Sequence, residues 1–164
     1  MHFSDQEKSL IDFEDSKVKN ILAWFMMIYI LFSTVFLIII INITKRLFGR
    51  ERPTRIAEKY RLCNMRKLEH HKSFPSGDAS AASFFTAIYI HIFGVNIWFM
   101  VISTVMVSLG RVYVFCHWIG DTVAGSILGT TVSYFLFNEA YFSAIAKPLF
   151  VAFAKMMNLD IDLE

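Results

Sequence analysis

Residues 21–43 read ILAWFMMIYILFSTVFLIIIINI, 23 consecutive positions without a formal charge. As a helix this run is roughly 34 Å long, enough to cross the hydrocarbon core of a bilayer. A second stretch is almost as bare: between residues 79 and 138 only Arg111 and Asp121 are charged. Helices of a soluble domain need polar outer faces. A chain that is 55% hydrophobic and 18% charged, with a mean hydropathy of +0.49, does not supply them. The composition is that of an integral membrane protein. With backbone groups that must be satisfied inside each segment, the fold class is an all-α helical bundle. At 164 residues the chain has the length of one domain.

The ends of the apolar run do not read as those of a signal peptide. The first twenty residues carry five acids and three lysines, not a basic n-region, and no small-x-small cleavage site follows. Cys63 and Cys116 have neither metal-ligand spacing nor a disulfide framework, and read as structural. The net charge of +2 is uninformative, but its distribution is not. Residues 44–74 gather ten Lys or Arg against three acids.

Glycines, polar clusters and charges divide the apolar part into about four transmembrane helices. These are 21–43, a second from near Ser76 to Phe93, a third from Ile97 to Phe115, and a fourth from Trp118 or Ile119 to Phe137. The organisation is a polar segment over 1–20, a membrane domain over 21–138 and a tail over 139–164. The tail reads as an interfacial amphipathic helix or a short fifth helix. Gly125 and Gly129 form a G-x-x-x-G pair, the spacing of close helix–helix packing. In an up-down-up-down path the basic loop, the Ser76–Asp78 helix start and the Arg111–Asp121 junction emerge on one membrane face. Trp24 and Trp98 then mark the opposite interface and Trp118 the near one.

Ionisable groups in membrane segments are costly without partners and mark candidate sites. His117 and Asp121, four apart, share one helix face, and a carboxylate on one imidazole nitrogen leaves the other a better nucleophile. The alternative is a polar cluster that only ties helices together. Lys45, Arg52 and Arg111 add three cations on the same face, suited to phosphoryl oxygens. Ser76 and Gly77 open a helix whose first N–H groups make an anion seat. Three cations, a helix N-terminus and an activated histidine together describe phosphoryl transfer through a phosphohistidine.

Three ordered motifs carry a resemblance. KRLFGRERP from Lys45 to Pro53 has a Lys, six residues, then Arg-Pro; PSGD spans Pro75 to Asp78; GRVYVFCHWIGD spans Gly110 to Asp121. Over residues 45–125 the chain resembles the type 2 phosphatidic acid phosphatase family, which shares its site with vanadium haloperoxidases. The resemblance implies that Lys45, Arg52 and Arg111 bind phosphoryl oxygens with Ser76 and Gly77, that His117 is the nucleophile and that Asp121 orients it. It implies no metal and no other cofactor. The partners it implies are a lipid phosphate substrate and membrane lipids, with no nucleic acid.

The chain departs from the family pattern in three places. Gly110 stands where the family has a serine. Two of the usual six helices are missing ahead of the first motif, which leaves the lipid-facing wall thin or completed by a second copy in a homo-oligomer. Asp78 replaces the histidine that protonates the leaving oxygen, so it becomes the candidate catalytic acid. Neighbouring cations favour the carboxylate form of an aspartate, whereas desolvation and a bound phosphate dianion favour the acid. His70 and His71 are alternative proton donors. A weak acid matters least when the leaving group is itself a phosphate, which favours a lipid diphosphate, such as an isoprenyl diphosphate, over a monoester. The expected activity is a lipid phosphatase. A head-group phosphotransferase and a catalytically silent lipid-phosphate binder or scaffold are the rivals. Without Lys45 and Arg52, eight basic residues of the loop remain against three in the N-terminal segment. The positive-inside rule then puts the motif face in the cytosol, in a eukaryote at the endoplasmic reticulum or another endomembrane.

Overall fold

The computed structural model describes residues 5–53 and 72–157, with the side chains of 16–53, 72–138 and 144–157. Among these residues the chain is helical, in five helices: α1 (Asp5–Phe48), α2 (Gly77–Phe93), α3 (Ile97–Tyr113), α4 (Ile119–Phe137) and α5 (Glu139–Met156). Helix α1 begins well before the apolar run, because Asp5–Lys19 is made of good helix formers that can sit in water beyond a membrane. The other three apolar helices start and stop close to where glycines and polar clusters place them.

Within α1, Ser16–Phe48 is long and apolar enough to cross a bilayer. Its buried residues Ile21, Phe25, Tyr29, Ser33, Leu37 and Ile41 recur every four positions, a single narrow stripe. The opposite faces are equally apolar but exposed, among them Leu31, Phe32, Ile38 and Ile39. A helix that is apolar all round and largely uncovered fits lipid as its solvent. Its hydroxyls and amide are satisfied locally: Ser33, Thr34, Asn42 and Thr44 each donate to the carbonyl four residues back, at 2.7–2.9 Å.

Two compact units share the chain. The first comprises Met1–Thr34 and Ala140–Glu164. In it Phe25 meets Phe150 edge-on at 5.2 Å, and Ala146, Phe150 and Ala154 form a four-residue stripe on α5 to match that of α1. Pro148 lies inside α5.

The second unit, Val35–Glu139, is built around the α2–α4 contact. Small residues make that contact close. A methyl group on Gly125 would collide with the Ser76 carbonyl, and one on Gly129 with the Ser80 carbonyl. The G-x-x-x-G pair therefore packs α4 against Ser76, Ser80 and Ser83 of α2. Further along, Phe84 is fully buried and its ring meets Phe137 edge-on at 6.3 Å. Helix α2 ends on Gly94 in the left-handed conformation, φ 62°, with its N–H on the Ile90 carbonyl. Asn96 then caps α3 through the Trp98 N–H at 3.0 Å. Helix α3 has no buried residue.

Candidate active site

The last turn of α1, the start of α2 and the α3–α4 junction all belong to the second unit, and there the polar residues gather. After Lys45 the chain leaves α1 through Gly49, φ 55°, into an irregular segment, 49–53. Ser73 docks on it, donating its N–H to the Arg50 carbonyl at 2.9 Å and its hydroxyl to the Glu51 carbonyl at 3.0 Å. A cis Phe74–Pro75 bond follows. Ser76 then caps α2, its hydroxyl accepting from the Ala79 N–H, and its own N–H donates to the Asp121 carbonyl at 2.9 Å. The first turn of α2 is thus pinned to the first turn of α4.

Between α3 and α4 the chain turns through Phe115, whose φ of 55° lies in the left-handed region. For a residue with a bulky side chain this conformation is unfavourable. The turn sets His117 inward, 2% exposed. Its Nδ1 lies 2.8 Å from the Ser73 carbonyl oxygen. A carbonyl can only accept, so Nδ1 carries the proton and Nε2 the lone pair. Facing that lone pair at 3.4 Å is Nη1 of Arg52, which also donates to the Cys116 carbonyl at 2.8 Å.

Asp121 is fully buried at the third position of α4. One oxygen accepts from the Trp118 N–H at 2.9 Å, the reach-back half of a capping box. The other pairs with Arg50 Nη1 at 3.0 Å. The oxygen held by Trp118, Oδ2, lies 3.8 Å from His117 Nδ1, longer than the Ser73 bond. Both oxygens thus have closer partners than the histidine, and the group that fixes the imidazole tautomer is the backbone carbonyl of Ser73.

Asp78 stands half-exposed in the first turn of α2 and forms an ion pair with Arg111 Nε at 3.0 Å. Of the sequence-selected residues, Arg52 and His117 are together, Asp78 and Arg111 are together, and Ser76 and Gly77 begin α2 beside Asp121. Lys45 lies half-buried in the last turn of α1 at the same end of the unit. His70, His71 and Cys63 lie outside the described residues. Two participants had no claim in the sequence: Ser73, which acts through its backbone, and Arg50, one of many basic residues in its segment. Gly49, three residues ahead of Arg52, and Pro53 after it hint at a shaped turn, but not at which side chain turns inward.

A groove of about 620 Å³ runs between α3 and α4 in the same unit. One end is formed by Val112, next to Arg111, and by Ile119 and Thr122, which flank Asp121. The other end is at Met100 and Thr131, about 18 Å along by helical rise. Its walls are apolar with a few hydroxyls, and its volume is in the range of sites for one small ligand.

The profile of the PAP2 superfamily matches residues 26–143, more than two thirds of the chain and all of the site above. This chain belongs to the PAP2 superfamily. PAP2 proteins are generally phosphatases, which places it among phosphoester hydrolases. No curated protein and no solved structure matches it.

Proposed function

We propose that this PAP2 protein is a multi-pass membrane enzyme that removes phosphate from a lipid phosphate or diphosphate through a phosphohistidine on His117. The observation that carries the reading is the state of His117: Nδ1–H is bound to the Ser73 carbonyl and Nε2 faces the Arg52 guanidinium. A nucleophile with its lone pair directed at an anion-binding cation is what attack on phosphorus needs.

In the first step Nε2 attacks phosphorus, the bond to the lipid oxygen breaks, and that oxygen takes a proton. In the second, water attacks the phosphohistidine, the N–P bond breaks and inorganic phosphate leaves. Lys45, Arg52, Arg111 and the α2 N-terminus hold the phosphoryl oxygens, and Asp78 is the nearest acid to the leaving side. Because Asp78 is paired with Arg111, proton delivery is the weak link. A phosphate leaving group needs that proton least, which favours a lipid diphosphate. The α3–α4 groove suits the apolar chain of such a substrate, since it starts beside the site residues.

Phosphate release in detergent, compared between an isoprenyl diphosphate and phosphatidic acid with vanadate as inhibitor, tests the proposal. The diphosphate is expected to turn over faster, and His117→Ala to abolish both activities. Turnover that survives in His117→Ala sinks the mechanism. Equal or better monoester turnover sinks the substrate preference alone.

The Asp78–Arg111 pair also favours a second reading, a protein that binds lipid phosphates without hydrolysing them. Its signature would be a silent native protein that gains activity as Asp78→His.

A further inference from the structure

We propose that Arg50 is a positioning residue that keeps His117 uncharged by neutralising Asp121. The proposal rests on His117 being the nucleophile, and it gives a role to a residue that the motif spacing treats as filler between Lys45 and Arg52.

Arg50 reaches the histidine by two routes. Its carbonyl accepts the Ser73 N–H, and the Ser73 carbonyl in turn accepts the His117 Nδ1–H. Its guanidinium lies 3.0 Å from Asp121 and 5.6 Å over the Trp118 ring, while the Trp118 N–H holds the other Asp121 oxygen. The indole Nε1–H donates to the Glu51 carbonyl at 3.1 Å, which fixes the segment carrying Arg50 against the turn carrying His117.

The charges around His117 can be followed element by element. The 49–53 segment presents Arg52 to Nε2; the residues before α2 present the neutral Ser73 carbonyl to Nδ1; α4 presents Asp121. The C-terminal end of α3 presents the neutral Arg111 carbonyl to the His117 backbone, and the Arg111 side chain is paired with Asp78. Asp121 is a fully buried carboxylate, and a buried charge without a counter-charge is strongly disfavoured. Arg50 supplies the counter-charge. Without it, a nearby group able to acquire positive charge is the imidazole, 3.8 Å away. Protonation at Nε2 would compensate Asp121, but it would also occupy the lone pair that must attack phosphorus.

The test uses the full-length protein in detergent, with the histidines labelled in nitrogen-15 and His117 assigned by its loss in His117→Gln. The native imidazole is expected to show the Nδ1–H tautomer near neutral pH. In Arg50→Ala its protonation midpoint should rise by about one pH unit or more, the usual effect of an unshielded carboxylate at this distance. Arg50→Lys should keep the native midpoint. Should Arg50→Ala fold poorly, Arg50→Gln removes the charge with less loss of packing. The deciding variant is Arg50→Ala with Asp121→Asn, which removes both charges. Its midpoint should return to the native value, and its phosphate release from an isoprenyl diphosphate at neutral pH should exceed that of Arg50→Ala several-fold, up to the ten-fold that one pH unit allows. A purely structural role would make the double variant no better than the single one, and that result overturns the proposal. An unchanged midpoint in Arg50→Ala overturns it as well. The nuclear magnetic resonance readout needs no turnover, so it still judges Arg50 if activity in His117→Ala were to refute the phosphohistidine.

Discussion

Asp78 stands in the first turn of α2, and its one described partner is Arg111 at 3.0 Å. The α2 N-terminus favours a negative side chain there, so the pair is supported from both sides. On the proposed mechanism a bound phosphate shares or takes over Arg111. Asp78→Asn is therefore expected to tighten vanadate inhibition several-fold, because it releases the guanidinium to the anion. The same change should slow monoester hydrolysis by about 10²-fold or more, the usual loss when a general acid is removed, and diphosphate hydrolysis by less. Steady-state phosphate release with and without vanadate measures both. Tighter vanadate binding with no change in monoester turnover would show that Asp78 is not the acid. The sequence led to Asp78 and to the His117–Arg52 neighbourhood because side-chain types at fixed spacing are legible. It could not lead to Ser73, whose contribution is a backbone oxygen that any residue possesses. Nor could it foresee that Asp121 would be engaged by Arg50, since a carboxylate four residues from a histidine reads as that histidine's partner.

At the scale of helices, the α2–α4 contact carries the site, since Ser76 of one and Asp121 of the other are hydrogen-bonded at their first turns. That contact depends on Gly125 and Gly129, where an added methyl meets a backbone carbonyl rather than a flexible side chain. Backbone cannot swing aside, so Gly129→Ala should force the helices apart at a cost of about 1–3 kcal/mol. Thermal unfolding in detergent should show a lowered midpoint, and activity should fall with it because the Ser76–Asp121 register is lost. An unchanged midpoint would mean that the helices part without cost. The α3–α4 groove makes a separate prediction. Ser126, halfway along it, donates to the Thr122 carbonyl, and Ser126→Trp would fill the passage. KM for a long-chain lipid diphosphate should rise about ten-fold, with a much smaller effect on a short-chain ester, and equal effects on both would separate the groove from the substrate chain. Helix positions were readable in advance for a simple reason: in α2, α3 and α4 the breakers Gly94, Asn96 and the Val114–Trp118 turn interrupt long apolar runs. The start of α1 was not readable, because the polar stretch before residue 21 has helical propensity but no apolar signal.

Across the second unit, the chain path makes a statement about the membrane. The end of α1, the start of α2 and the α3–α4 turn meet at the site, so the Gly94–Asn96 turn between α2 and α3 lies at the far end of those helices. Much of the surface between the two ends is apolar and exposed, including Trp98, Ile102, Met106 and Leu109 along α3. That surface suits lipid as its solvent. Lys72, exposed at the site end, and Asn96, exposed at the far end, should therefore face opposite compartments. In a background carrying Cys63→Ser and Cys116→Ser, Lys72→Cys and Asn96→Cys can each be probed with a membrane-impermeant maleimide. By the positive-inside rule, the excess of Lys and Arg over 44–74 predicts a cytosolic site end. Lys72→Cys should thus be labelled only after permeabilisation, and Asn96→Cys in intact cells. Loss of the Asn96 cap costs about 1 kcal/mol, small enough for the helix to persist. Labelling of both from one side would reject the up-down path. Labelling from opposite sides in the reverse sense would keep the path and show that the basic loop answers to phosphate rather than to topology.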